Sequence, residues 1–143
     1  MVYMYKAHLA SDPDDGFLVT FPDMPEALTH GKTRAEALES AREALGFALR
    51  SRIKDNQPIP HRLATDGIDV YLSPDDALKV AVIQAFAASG MSKTELARRL
   101  GRRETEARRI LDPYHATGLP LLEAALSALG KTILVTVIDT KAA

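Results

Sequence analysis

The chain contains no cysteine and no tryptophan, and aromatic residues make up only 6% of its 143 positions. Without cysteine there is no disulfide scaffold, no thiolate zinc site and no cysteine nucleophile, and the composition fits a reducing compartment. No apolar run approaches the roughly 20 residues needed to span a bilayer. The start, Met1-Val2-Tyr3-Met4-Tyr5-Lys6, lacks the basic-then-apolar pattern of a secretory leader. The expectation is a cytoplasmic protein with no membrane partner. Glycine-rich phosphate loops and the HExxH spacing are missing, and His8, His30, His61 and His115 are scattered. No Ser-His-Asp order carries a recognisable flank. Nothing here calls for an enzyme, a metal or a cofactor. What is present is an ordinary globular composition, 46% hydrophobic and 26% charged.

The net charge of −1 hides an asymmetry. Residues 1–78 hold eight Lys/Arg against thirteen Asp/Glu, a balance of −5, and residues 79–143 hold ten against six, a balance of +4. Two modules with different partners are implied: an acidic one suited to a basic protein, and a basic one suited to a nucleic-acid backbone.

Val2 to Leu9 carries residues that suit a pleated surface, and Ser11-Asp12-Pro13-Asp14-Asp15-Gly16 is a turn. Phe17 to Phe21 returns as a second strand, ended by Pro22 and Pro25. A short third strand is expected over Ala27 to His30. Thr33 and Glu36 then form a capping-box pair. Ala35, Leu38, Ala41, Leu45, Ala48, Leu49 and Ile53 mark the apolar stripe of a helix about 20 residues long. Ile68 to Leu72 is a further strand. The order β-β-β-α-β predicts a small α+β domain over 1–73.

From residue 74 to Leu129 the strand signal vanishes, which predicts an all-helical domain over 74–143. Four helices are expected: Asp75–Ser89, Lys93–Leu100, Arg103–Leu111 and Pro120–Leu129. Lys131 to Ile138 is β-branched and apolar on both faces, flanked by Lys131 and Lys141. A strand that follows helices has no ladder of its own, so pairing with a second copy of the chain is expected.

The strongest local signal is the stretch Ser92-Lys93-Thr94-Glu95-Leu96-Ala97-Arg98-Arg99-Leu100-Gly101, with a second short helix after it. Two short helices about a glycine turn are the pattern of a helix-turn-helix, whose second helix enters a major groove. The surface is basic: Lys93, Arg98, Arg99, Arg102, Arg103, Arg108 and Arg109 stand against Glu95, Glu104, Glu106 and Asp112. Candidate contacts to double-stranded DNA are Ser92, Lys93, Thr94, Arg98, Arg103, Thr105, Arg108 and Arg109. Thr105 and Arg108 point outward and suit base edges, while Arg98 suits phosphate. Glu104 and Glu106 either accept from cytosine or pair with neighbouring arginines. Arg103 lacks a capping side chain, which predicts a frayed first turn. The acids Asp12, Asp14, Asp15, Asp23 and Glu26 raise a second chemistry, a metal-dependent nuclease, although the first three sit where a turn already calls for Asp.

Read together, these segments resemble the HicB antitoxins of bacterial toxin–antitoxin pairs. The resemblance is carried by Gly16-Phe17-Leu18-Val19-Thr20-Phe21-Pro22-Asp23-Met24-Pro25, by Thr29-His30-Gly31-Lys32-Thr33 and by Glu36-Ala37-Leu38. Ala77-Leu78-Lys79-Val80, Ser92 to Gly101, Leu111-Asp112-Pro113 and Leu122-Glu123-Ala124-Ala125-Leu126 resemble the helix-turn-helix branch of that family. The resemblance implies a partial ribonuclease-H-like first domain that masks a small basic messenger-RNA-cleaving toxin of HicA type. It further implies a second domain that binds the operator of its own operon and represses it. The reading from another class is a stand-alone helix-turn-helix regulator whose first domain senses a ligand or protein.

Overall fold

Tyr5 and Ala7 are buried on one side of the first strand, while His8 and Ala10 on the other side are exposed. That alternation makes a sheet with one apolar face. In the computed structural model, described over residues 1–140, β1 (Met4–Asp12) and β2 (Gly16–Thr20) form an antiparallel hairpin from His8↔Thr20 to Asp12↔Gly16. β3 (Thr29–Gly31) pairs antiparallel with β2, and β4 (Ile68–Tyr71) pairs antiparallel with the other edge of β1. The order across the sheet is β3-β2-β1-β4. The third strand begins two residues later than expected because Ala27 is drawn into the core behind Met24, whose carbonyl accepts its N–H at 3.0 Å.

α1 (Arg34–Lys54) covers the apolar face. Thr33 Oγ1 accepts from the Glu36 N–H at 3.1 Å, and the Glu36 carboxylate accepts from the Lys32 N–H at 3.0 Å. Ala37, Ala41, Leu45, Ala48 and Leu49 form the buried stripe, whereas Ala35 is exposed, so the helix is rotated from the expected face at its first turn. Small residues at its start let it lie close on β3. A Cβ at Gly31 would stand 2.3 Å from the Ala37 nitrogen, so no larger residue fits there.

The Phe21-Pro22-Asp23-Met24-Pro25 stretch now has a physical account. Phe21 and Met24 are fully buried, while Asp23 turns sideways and accepts from the N–H groups of Leu63 and Ala64, both at 2.9 Å. Tyr5 Oη donates to the Pro60 carbonyl at 2.8 Å, and Arg52 pairs with Glu26 and donates to the Pro58 carbonyl at 3.1 Å. These bonds strap the irregular segment between α1 and β4 onto the sheet.

Helices account for the rest. α2 (Pro74–Ser89) is capped by Ser73, α3 spans Lys93–Leu100, α4 spans Glu104–Ile110, and α5 spans Leu119–Ala128. Among the described residues the architecture is therefore α+β, a four-stranded antiparallel sheet with five helices. The chain divides into two compact units, and the division falls between Ala77 and Leu78, inside α2. Asp76 belongs to the first unit, where it pairs with Arg50. Gly130, at φ 76, ends the last helix, and the Lys131 N–H closes on the Leu126 carbonyl at 2.8 Å.

The expected strand over Lys131 to Ile138 does not form in the single chain. Residues 131–140 carry no secondary structure, and Leu134 and Val137 are about nine-tenths exposed. A strand exists only as part of a ladder, and this segment pairs with none of the four strands among the described residues. Lys141 lies outside the described residues.

Removing the Asp23 strap has a defined consequence. Asp23→Ala should destabilise the first unit by about 1–2 kcal/mol and open residues 57–66 to protease, with Asp23→Asn, which keeps an acceptor, losing less. Limited proteolysis and urea denaturation check this; an unchanged cleavage pattern in Asp23→Ala would show that the segment is held by other means.

Candidate nucleic-acid interface

α3 is built from local signals. Ser92 Oγ accepts from the Glu95 N–H at 3.1 Å, and Leu96 and Ala97 are buried. Gly101 closes the helix in the left-handed region at φ 62, ψ 32, with its N–H on the Arg98 carbonyl at 3.1 Å. The turn Gly101-Arg102-Arg103 leads directly into α4. Ala107 is fully buried against Leu96 and Ala97, with Phe86 of α2 and Leu129 at the margin of that cluster.

Expected fraying of α4 does not occur. Arg103 contributes no capping side chain, but the Glu106 carboxylate reaches back and accepts from the Arg103 N–H at 3.0 Å. The helix therefore has half of a capping box, supplied from its own third residue. Glu106 also faces Arg102 at 3.6 Å. Glu104 joins two helices: it accepts from Thr94 Oγ1 of α3 at 3.2 Å and from Arg108 of α4 at 2.8 Å. The Arg108 guanidinium, and then Thr94, hold the Glu104 carboxyl below the usual carboxylate range. Of the two readings left open for these acids, the free chain adopts pairing with arginine.

The same logic operates on α3. Arg98 grips Glu95 through two bonds of 2.8 and 2.6 Å, and Arg99 adds a third at 3.0 Å. Those bonds, Arg98 first, pull the Glu95 carboxyl down to about 2. Lys93, Arg103 and Arg109 have no ion pair among the described residues. Thr105 is exposed on the second position of α4, and Arg108 and Arg109 are exposed in its last turn. The structure thus gathers Lys93, Thr94, Arg103, Thr105, Arg108 and Arg109 on and around one two-helix corner. Ser92 and Arg98 serve local bonds first, as cap and as partner of Glu95.

Lys79 was not among the expected site residues. It is 5% exposed, and its Nζ donates to the carbonyls of Arg109 and Ile110 at 3.3 and 2.8 Å and to Thr117 Oγ1 at 2.7 Å. Burial pushes its pKa down to about 8, opposed by the nearby Asp112 carboxylate. The signal in the sequence was a single cation inside the apolar run Ala77 to Ile83.

The carboxylates of the first hairpin have structural work. Asp12 Oδ1 accepts from the Asp14 N–H at 3.0 Å within the turn, Asp23 straps the loop, and Glu26 pairs with Arg52. Among the described residues, no group of three or more His, Asp or Glu is placed to hold a metal ion. His8 Nε2 lies 3.2 Å from the Asp66 carbonyl.

Comparison with known proteins decides what kind of molecule carries this corner. Residues 4–81 match the model of the HicB_like antitoxin of bacterial toxin-antitoxin systems. Antitoxin HicB of Escherichia coli is 37% identical over 131 residues, covering 90% of this chain and 95% of that protein. The chain belongs to the HicB antitoxin family. Antitoxin HicB 1 of Photorhabdus laumondii is 41% identical over 128 residues, covering 88% of this chain and 81% of the relative. Antitoxin HicB of Pseudomonas fluorescens is 32% identical over 141 residues, covering 96% and 95%. The family model ends inside α2, but the likeness to these HicB antitoxins takes in both units. No helix among the described residues is long and apolar enough to cross a membrane.

The half-box at α4 generates a test. Arg103→Ser supplies the missing capping hydroxyl and should stabilise the second unit by about 0.5–1 kcal/mol. Equilibrium unfolding of the full chain in urea measures it; no gain would mean that Glu106 already satisfies everything the cap can offer.

Proposed function

We propose that this HicB antitoxin works by two contacts and no catalysis of its own. Its first unit, a ribonuclease-H-like fragment by resemblance, masks a small basic messenger-RNA-cleaving toxin of HicA type. Its second unit is a helix-turn-helix that binds double-stranded operator DNA and represses the operon encoding the pair. The observation that carries the reading is likeness to HicB antitoxins across both units, together with an exposed basic corner on α3 and α4. The charge balance supports it from a separate direction: a −5 first unit suits a basic partner, and a +4 remainder suits phosphate. Cytoplasm is the matching compartment, where both messenger RNA and operator are met.

On this reading α4 is the recognition helix. Thr105 and Arg108 meet base edges, Arg108 exchanging Glu104 for an acceptor on a base. Lys93, Arg103 and Arg109, already free of carboxylates, meet phosphates, as do Ser92 and Thr94 at the start of α3. Arg98 contributes a weaker phosphate contact because Glu95 holds it.

Co-expression with a neighbouring short reading frame for a basic protein, scored by rescue of growth, tests the masking half. Toxicity that persists with both proteins present and folded removes it and favours a stand-alone regulator. Gel shifts on the duplex upstream of the coding region and on random duplex test the other half. Arg108→Ala should cost about 1–3 kcal/mol on the upstream duplex alone, whereas Arg98→Ala should weaken both duplexes alike and slightly. Unchanged discrimination in Arg108→Ala would falsify the base-reading role.

The segment Thr132–Ile138 supplies assembly. Apolar on both faces and exposed in the single chain, it pairs across a two-fold axis with its copy and makes a homodimer. Two α4 helices then address two half-sites of one duplex. A Val135→Asp, Val137→Asp double variant should sediment as a monomer where the unaltered chain is a dimer, and it should lose upstream-duplex affinity while still neutralising the toxin. A monomeric unaltered chain at micromolar concentration argues against the pairing.

A further inference from the structure

Among the described residues Lys79 is the one charged side chain that the fold buries, and its surroundings are specific. Its three N–H bonds have three acceptors within 3.3 Å. An ammonium donates all three at once, to the two carbonyls and to the Thr117 hydroxyl oxygen. Two of the acceptors are the carbonyls of Arg109 and Ile110, the last residues of α4. The final carbonyls of a helix lack intrahelical donors, and a cation there also meets the negative end of the helix dipole. The Arg109 carbonyl also accepts from the Asp112 N–H at 3.2 Å, whereas the Tyr114 N–H, four residues past Ile110, goes to the Asp112 carboxylate at 2.9 Å and leaves the Ile110 carbonyl to Lys79. Thr117, the third acceptor, lies in the loop before α5. One ammonium on α2 therefore ties together the end of α4 and the end of the loop that leads into α5.

We propose that Lys79 is a positioning residue for duplex recognition: its ammonium, rather than the packing of its stem, fixes the C-terminal end of α4 and so the angle at which Thr105 and Arg108 meet base edges. The inference rests on the DNA-binding reading above. Its logic is mechanical. Phosphate contacts tolerate small shifts, because Lys and Arg stems are long and the backbone is regular. Bidentate base contacts do not, because both bonds must align at once. Loosening one end of α4 should therefore remove discrimination between sequences and spare affinity for DNA in general.

The absence of cysteine makes a clean experiment possible. Lys79→Cys carries a unique thiol that is alkylated in denaturant and refolded. 2-Bromoethylamine rebuilds a lysine-length side chain with its ammonium; 1-bromopropane gives the same length without it. The unaltered chain, treated identically, controls for reaction elsewhere. The readout is the ratio of affinities for the upstream duplex and a random duplex, at two salt concentrations. The aminoethyl form should regain the unaltered ratio, and the propyl form should show a ratio reduced by about ten-fold with an unchanged salt slope. Thr117→Val, which removes one acceptor and keeps the ammonium, should reduce the ratio by a smaller factor in the same direction. It decides the matter if the propyl form does not fold. Equal ratios for the aminoethyl and propyl forms, or an unaltered ratio in Thr117→Val where that variant decides, overturn the role of the ammonium. An unaltered chain with no preference for the upstream duplex overturns the DNA-binding reading itself, and the two failures are told apart by that first measurement.

Discussion

A helix of seven residues has no stability of its own in water, so whatever α4 does depends on what holds its two ends. At the first end the Glu106 carboxylate takes the Arg103 N–H, and Glu104 reaches Thr94 across the turn. At the last end Lys79 takes two carbonyls. Between them Ala107 and Ile110 are buried. Every tie therefore comes from a charged side chain, and only the middle is held by apolar packing. This is unusual for a small helical unit, and it leaves the outward positions 105 and 109 free to vary without loss of the core or of these ties.

Charge on this surface serves structure before it serves a ligand. Glu95 is shared by two arginines, and Glu104 and Glu106 each hold one. Exposed pairs of this kind contribute little to stability singly, but they fix side-chain directions on helices too short to have many neighbours. In the first unit Asp12, Asp23 and Glu26 are likewise occupied, by a turn, a strap and an ion pair. Other exposed carboxylates carry its negative field: Glu39 and Glu43 on α1, Asp14 and Asp15 at the hairpin turn, and Asp55, Asp66 and Asp75.

What could be read from the sequence was whatever is settled within a few residues. The Thr33–Glu36 and Ser92–Glu95 caps, the Gly101 turn and the order of elements as far as α5 all follow from local spacing, and the structure has them. Lys79 could not be read, because Arg109 and Thr117 come within reach of it only when α2, α4 and the loop are packed. Asp23 stood inside a motif noticed by resemblance, yet its partners Leu63 and Ala64 lie some forty positions away. The cap on α4 is hidden for a subtler reason: Arg103 offers no capping side chain, and the bond comes from Glu106 in the opposite direction. Residues 132–138 have strand composition without a ladder, and composition alone says nothing of where a ladder would come from.

Pairing within the free chain also limits what a count of basic residues can mean. Seven Lys and Arg crowd α3, α4 and the turn between them, but four of these, Arg98, Arg99, Arg102 and Arg108, already face a carboxylate. A phosphate that recruits one of them must replace that carboxylate, so the net gain is an exchange of anions rather than a new contact. On the proposed DNA-binding reading, only Lys93, Arg103 and Arg109 of these seven would neutralise phosphate without giving up an ion pair. Since the logarithm of affinity falls with the logarithm of salt by about 0.9 per phosphate neutralised, the slope for one unit on a duplex would then belong near three contacts rather than seven. On that reading the acids would trim the sequence-independent part of the attraction and leave a larger share of binding to the two residues proposed to meet base edges.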